Sequence, residues 1–262
     1  MGFLSDFMAV RRREMAERPL DEASLRAAAG AQPPARDWEG ALRAGRPTLI
    51  AEVKRASPSA GDIAAPDPAT QAAAYEAGGA AAISVLTEPR HFKGSLDDLR
   101  AVRGAVGVPV LRKDFLVDAL QVVEARAAGA DAVLLITSAL DDAELAVLLA
   151  AAADLEMGVL LETHSDRDLA RALATDARVV GVNARDLESL AVDVPAALAR
   201  LRRIPADRIA VLESGIASRD DVTAAVDAGA SAILVGEALM RAADPREGVR
   251  ALLGEQRHGK EP

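Results

Sequence analysis

Apolar residues along this chain gather into eight short runs, separated by stretches whose apolar positions recur with helical spacing. The runs are PTLIAEVK (47–54), the end of EAGGAAAISVL (76–86), VPVLRKDF (108–115), the end of AAGADAVLLI (127–136), GVLLETH (158–164), RVVGVNAR (178–185), RIAVLES (208–214) and the end of DAGASAILVG (227–236). The segments 76–86, 127–136 and 227–236 echo one another: a helix end, a glycine at the helix stop, then a β-rich run. Near-continuous Val, Ile and Leu, without alternation, is the pattern of strands covered on both faces. Between them, DAELAVLLAAAADLEM (142–157) and RDDVTAAVDAG (219–229) read as helices, the second with Ser218 as its expected N-cap. Strand and helix alternating through short loops imply a parallel sheet. Eight such units predict an α/β fold, a closed (β/α)8 TIM barrel. A doubly wound sheet is the rival, but it would bring a glycine-rich dinucleotide loop after its first strand, and the chain has no GxGxxG.

Residues 1–46 do not fit the repeat. Phe3, Leu4, Phe7 and Met8 can share one helical face, with the basic run Arg11 to Arg13 just beyond it. RAAAGAQPPARDW (26–38) reads as a loop or short helix with a Pro-Pro break. The expected organisation is an N-terminal helical extension over 1–46, a barrel over 47–255 and a polar tail over 256–262, the alternative for the first segment being a disordered arm.

Composition narrows the chemistry. Half of the 262 residues are apolar but only 2% are aromatic, so Ala, Val, Leu and Ile must fill the core. The absence of cysteine excludes disulfides, thiolate metal sites and Cys nucleophiles. The histidines, His91, His164 and His258, are too scattered to assemble a metal-ligand pair. A net charge of −9 argues against a nucleic-acid partner, and no apolar run approaches bilayer length. The opening MGFLSDFMAVRRR has its basic cluster after the apolar stretch, the wrong order for secretion, and Asp6 breaks the myristoylation pattern. A cytoplasmic protein, a monomer or weak homo-oligomer without cofactor or metal, is expected.

The polar residues carry the functional signal, because they sit at the C-terminal ends of the predicted strands. The first run ends in Glu52 and Lys54, the third in Lys113, Asp114 and Phe115, the fifth in Glu162. The sixth ends in Asn183 and Arg185, the seventh in Glu213 and Ser214, the eighth in Gly236 and Glu237. Charges in strands are costly unless paired, and barrel active sites lie at this end. Glu52, Glu162 and Glu213 against Lys54, Lys113 and Arg185 describe a functional cavity suited to an anionic substrate, with groups close enough to perturb one another's protonation. ESGI (213–216) and VGEAL (235–239) each place a glycine between strand and helix, where backbone N–H groups can meet a phosphate, and SPSAG (57–61) adds hydroxyls. There is no GxSxG, HExxH or P-loop, and His164, alone near the mouth, reads as a hydrogen-bonded structural residue.

IAEVKRASPSAGDI (50–63), ISVLTEPRHFKGS (83–95), PVLRKDFLVDALQVVEARAAGADAVLLI (109–136), LLETH (160–164), GVNARDL (181–187), LESGI (212–216) and LVGEALM (234–240) together resemble the indole-3-glycerol-phosphate synthase family, in the family's order. The resemblance implies the tryptophan-pathway step that converts 1-(2-carboxyphenylamino)-1-deoxyribulose 5-phosphate to indole-3-glycerol phosphate, carbon dioxide and water, with no cofactor or metal. It implies Lys113 as the main candidate for the acid in ring closure, Lys54 as holder of the substrate carboxylate and the alternative source of that proton, Glu52 as the group orienting the lysines and Glu162 as acid or base in dehydration. Asn183 and Arg185 would position the substrate, with Glu213 and Ser214 beside the mouth. Ser57, Gly215 and Gly236 would line a phosphate pocket, and Phe92 and Phe115 would flank the aromatic ring. The chain departs from the family at Ala184, where a second Asn is common; strand alternation points that side chain away from Asn183 and Arg185.

Three other readings of the same residues fit less well. Phosphoribosylanthranilate isomerase, the preceding step on the same fold, resembles a Cys/Asp acid–base pair, which a chain without cysteine cannot supply. A Schiff-base aldolase would place its lysine at the end of the sixth strand, where Asn183 and Arg185 stand. A non-catalytic barrel that binds a phosphorylated metabolite would be expected to lack the acid–base groups found here.

Overall fold

The structure, a computed structural model, describes residues 3–45, 47–57, 61–62 and 67–254. All eight apolar runs are strands: β1 (Thr48–Val53), β2 (Ala82–Leu86), β3 (Val110–Lys113), β4 (Ala132–Ile136), β5 (Gly158–Thr163), β6 (Val179–Asn183), β7 (Ile209–Glu213) and β8 (Ala232–Val235). They pair in parallel with sequence neighbours, and β8 closes on β1 through Thr48↔Ala232 to Ala51↔Val235. This is the closed (β/α)8 barrel that the pattern predicts. A two-residue hairpin, Ala56–Ser57 with Gly61–Asp62, follows β1.

Helices α1 (Phe3–Glu17), α2 (Glu22–Gly30) and α3 (Trp38–Arg43) precede the barrel. The barrel helices are α4 (Pro68–Gly78), α5 (Leu96–Ala105), α6 (Ala119–Ala127), α7 (Asp142–Asp154), α8 (Asp166–Leu173), α9 (Val194–Leu201), α10 (Arg219–Asp227), the short α11 (Glu237–Met240) and α12 (Pro245–Leu253). Polar caps set where they begin. Asp118, Asp141, Ser165 and Ser218 each form a reciprocal capping box with the residue three positions on. The echoed glycines Gly79, Gly129 and Gly229 stand at φ of 105°, 93° and 104°, the left-handed turn from helix into strand.

Strand alternation divides the core in two. One set of side chains packs outward under the helices, among them Leu49, Ala51, Ile83, Val85, Val133, Leu135, Val180 and Val182. The other set fills the lumen: Ile50, Ala82, Leu111, Leu134, Leu160, Val179, Val211 and Leu234. The inward series therefore runs from apolar to polar toward the C-terminal ends: Ile50 then Glu52, Leu111 then Lys113, Leu160 then Glu162, Val211 then Glu213. The polar layer sits directly on the hydrophobic one.

The N-terminal helices reach both ends of this lumen. From α1, Leu4, Phe7 and Met8 join the inner cluster at the mouth, and the Phe7 ring lies 4.3 Å from that of Phe115. From α3, Trp38 and Leu42 enter the same cluster at the floor, where Trp38 packs so closely on Gly158 that a Cβ there would come within 2.5 Å of the indole. Between them, α2 lies against α6, and Gln32 Nε2 donates to the Ala127 carbonyl. Replacing Trp38 with Ala opens a cavity under the lumen far from the polar layer. It is expected to cost about 3–5 kcal/mol in urea unfolding while leaving kcat nearly unchanged; an equal fall in kcat would show that the floor is coupled to the mouth.

Candidate active site

The lumen opens at the C-terminal ends of the strands into a cavity of about 380 Å³, within the range of small-molecule sites. Glu52, Lys54, Lys113, Glu162, Asn183, Arg185, Ser214, Gly215, Gly236, Phe92 and Phe115 all line it. Of the other two expected residues, Ser57 lies in the hairpin after β1, and its side chain is outside the described residues. Glu213 is fully buried, beneath the cavity wall rather than on it.

Glu52 is the hub. Its Oε1 accepts a hydrogen bond from Lys54 Nζ at 2.7 Å and its Oε2 one from Lys113 Nζ at 3.1 Å. Lys113 comes from β3, so it reaches Glu52 over β2, where the residue beside Glu52 is the small Ser84. Its Nζ is also 3.3 Å from Glu213 Oε2, across the lumen. Burial alone would raise the Glu52 carboxyl, but Lys113 and then Lys54 overcome this and hold it at about 2. Burial would lower Lys113; Glu52, then Glu213 and Glu162, reverse that and raise it above the ordinary lysine range.

Glu213 is placed to hold a proton. Apart from the ion pair with Lys113, its oxygens have no polar partner among the described residues. Burial, and next the charge of Glu162, push its carboxyl up to about 8, with Lys113 opposing. The room for this carboxylate comes from Gly181, where a Cβ would lie 2.3 Å from Glu213 Oε1. Gly236 does the same for the other half of the cluster, where a Cβ would lie 2.4 Å from Glu52 Oε1 and 2.9 Å from Lys54 Nζ.

Asn183 Nδ2 donates to Glu162 Oε1 at 3.1 Å, and Asn183 Oδ1 accepts from the Arg185 N–H at 2.9 Å. His164 Nδ1 is 3.0 Å from the Asn183 carbonyl and Nε2 is 3.0 Å from Asp186 Oδ2, so both ring nitrogens are engaged. Ala184 packs outward in the helix-facing core. After β7, Ser214 and Gly215 take φ of 65° and 73°, and a Cβ on Gly215 would come within 2.5 Å of Val194. A side chain in this left-handed region is uncommon and costs backbone strain at Ser214.

Several contributors were not singled out from sequence. Leu187, Leu190 and Val192 give the cavity an apolar wall, and Arg241 adds a cation 2.6 Å from Glu237. Arg112, beside Lys113 but facing outward, donates to Asp114 Oδ2 at 3.0 Å and Glu124 Oε2 at 3.1 Å. Asp114 also receives Arg11 of α1 at 3.0 Å, so α1 is tied to the residue after Lys113. Gly181 had a signal: a glycine inside an apolar strand often marks a close approach.

A (β/α)8 barrel whose mouth joins a buried lysine–carboxylate cluster to an aromatic side and a cationic side is a barrel enzyme built for proton transfer on an anionic substrate. The family model for indole-3-glycerol phosphate synthase matches residues 4–252, and the chain belongs to that family. The indole-3-glycerol phosphate synthase of a Nocardioides species is 53% identical over 259 residues, covering 97% of this chain and 99% of that one. That of Micrococcus luteus is 50% identical over 244 residues, 91% of each chain. A solved 3-hexulose-6-phosphate synthase superposes with a TM-score of 0.64 at 22% identity, over 79% of this chain and 98% of its own, a likeness of fold alone.

Two outcomes follow from the cluster. Gly181→Ala is expected to displace the Glu213 carboxylate and lower kcat by about 10²-fold, with the displacement visible in a crystal structure of the variant. Because folding raises Glu213 from an ordinary 4.5 to about 8, its contribution to stability is present below pH 4.5 and lost as pH rises toward 8. Glu213→Gln should therefore flatten the fall in urea stability between pH 4.5 and 8; an identical profile over that window would rule the raised acid out.

Proposed function

We propose that this chain closes the indole ring of tryptophan biosynthesis: it converts 1-(2-carboxyphenylamino)-1-deoxyribulose 5-phosphate to indole-3-glycerol phosphate, carbon dioxide and water, as a carbon–carbon lyase. The observation that carries the assignment of roles is the placement of Lys113 Nζ, held in the lumen between Glu52 and Glu213.

The ring carbon bearing the carboxylate attacks the ribulose C2 carbonyl, and the developing alkoxide needs a proton. A lysine whose proton is held by carboxylates releases it only to a strong base, and an alkoxide is one. Lys113 thus donates as negative charge develops, and Glu52 holds it there. Lys54, bonded to the other oxygen of Glu52, holds the substrate carboxylate until carbon dioxide leaves and the ring recovers its aromaticity. The new hydroxyl then departs with a proton from an acid while a base removes a proton from the intermediate. Glu162, oriented by Asn183, is assigned to this dehydration, with Glu213 as the neighbouring proton reserve.

Substrate binding follows the two sides of the cavity. Phe92 and Phe115 flank the aromatic ring, facing the apolar wall at Leu187. The phosphate lies toward Ser57, Ser214, Gly215 and Gly236, with Arg185 and Arg241 supplying charge. No helix among the described residues is long and apolar enough to cross a membrane. A cytoplasmic monomer or weak homo-oligomer completes the proposal.

The test is the fluorescence of indole-3-glycerol phosphate formed from the substrate. Lys113→Ala should lower kcat by about 10²–10⁴-fold, with carbon dioxide release falling in parallel because both follow ring closure. Glu162→Gln should slow product formation while a single turnover still releases carbon dioxide. Unimpaired ring closure in Lys113→Ala with collapsed dehydration would reverse the two roles.

A further inference from the structure

Glu88 is a buried carboxylate that this chemistry does not use. It stands two residues past the end of β2 and is 1% exposed. Its side chain accepts three successive backbone N–H groups: Arg90 on Oε1 at 2.8 Å, then His91 and Phe92 on Oε2 at 2.6 and 3.1 Å. The Glu88 carbonyl closes the turn by accepting from Gly94 N–H at 2.9 Å. Gly94 has to be glycine for this closure, since a Cβ would come within 2.0 Å of the Leu86 carbonyl. An unpaired buried carboxylate is very costly, and charge-assisted bonds from three N–H groups offset that cost only in this one backbone conformation.

The last residue so fixed is Phe92. Its ring lies on the cavity, 6.5 Å from that of Phe115, which is itself backed by Phe7 of α1 at 4.3 Å. The turn is also held from outside: Arg90 pairs with Glu14 of α1, and the His91 ring lies 5.2 Å from that of Phe7. Three of the four phenylalanines of the chain meet at this spot. A side chain ordered before the ligand arrives saves the entropy of ordering it on binding. That saving is made equally in ground and transition states, so it acts on KM rather than kcat.

We propose that Glu88 is a positioning residue for substrate binding, locking the 88–94 turn so that Phe92 stands as a preformed wall for the substrate's aromatic ring. The proposal rests on the ring-closing activity assigned above and adds the group that sets affinity for its aromatic half. Glutamine at this position has one acceptor oxygen for three N–H groups, and its amide turns a donor toward at least one of them.

Amide hydrogen exchange and steady-state kinetics test it together. Glu88→Gln should speed exchange at 90–92 in the substrate-free protein and raise KM about tenfold, with kcat within about threefold. Phe92→Ala should raise KM by itself, and adding Glu88→Gln to it should raise KM little further. Unchanged exchange or KM in Glu88→Gln, a fall in kcat without a rise in KM, or effects that multiply in the double variant would each overturn the proposal. Phe92→Ala removes no backbone bond and decides the matter where Glu88→Gln does not fold, since an unchanged KM overturns it. If the unaltered chain forms no indole-3-glycerol phosphate, the activity fails separately. Exchange at 90–92 and calorimetric binding of the same substrate then take the place of KM.

Discussion

Everything at the mouth of this barrel depends on one carboxylate held between two ammonium groups. Glu52 gives one oxygen to Lys54 and the other to Lys113, and all three side chains are largely withdrawn from water. Isolated, each of these charges would be expelled or neutralised in such a place. Together they are stable as ions, and each fixes the others. Lys113 cannot swing away without leaving Glu52 half-paired and Glu213 without its cation. The proton on Lys113 is thus kept at a defined point in the lumen. That is what a general acid requires before substrate arrives.

The same cluster explains two glycines, Gly181 within β6 and Gly236 just past the end of β8. A lumen of eight strands is narrow, and the layer that holds Glu52, Lys113, Glu162 and Glu213 must fit several long side chains where the layer below holds leucine, isoleucine and valine. Gly181 and Gly236 vacate the volume, each facing a carboxylate oxygen closer than a Cβ would allow. Neither glycine has positive φ, so their requirement is steric rather than conformational. At Gly181 the cost falls on strand propensity, and at both positions the gain is room for charge.

Much of this was legible in the sequence. Eight apolar runs, with polar residues at one end of most of them, specify both the barrel and its working face, because a parallel strand buried on both sides has few ways to be written. Strand parity also told Ala184 apart from Asn183 and Arg185. Distances across the lumen were a different matter. That Lys113 meets Glu52 over β2, and Glu213 from the far side, depends on the tilt and stagger of closure, which no local pattern encodes. Glu213 is therefore expected beside the mouth, although it is fully buried, meeting Lys113 across the lumen. Trp38 is another case: a lone aromatic after a Pro-Pro break gives no hint that it plugs the floor, because its partner, Gly158, is 120 positions away. Glu88 was hidden for the opposite reason. Its bonds are all local, but nothing in a Glu-Pro-Arg sequence marks the carboxylate as folded inward onto its own backbone.

Why the extension should touch both ends of the barrel follows from what a barrel leaves open. Closure satisfies the strand edges but leaves the lumen's floor and rim uncovered, with Ala82, Val179 and Ile209 at the bottom and Phe115 at the top. Trp38 and Leu42 seal the floor with apolar contact alone, a purely structural arrangement. At the rim, α1 adds charge to apolar contact: Arg11 reaches Asp114, which also holds the neighbour of Lys113 through Arg112. The position of α1 is thereby linked to the backbone that carries Lys113, and Phe7 links it to Phe115. The floor touches none of the polar layer, whereas a shift of α1 would disturb both the Arg11–Asp114 pair beside Lys113 and the packing of Phe7 on Phe115. One segment of chain thus packs beside the cavity at one end of the lumen and plugs it with apolar side chains at the other.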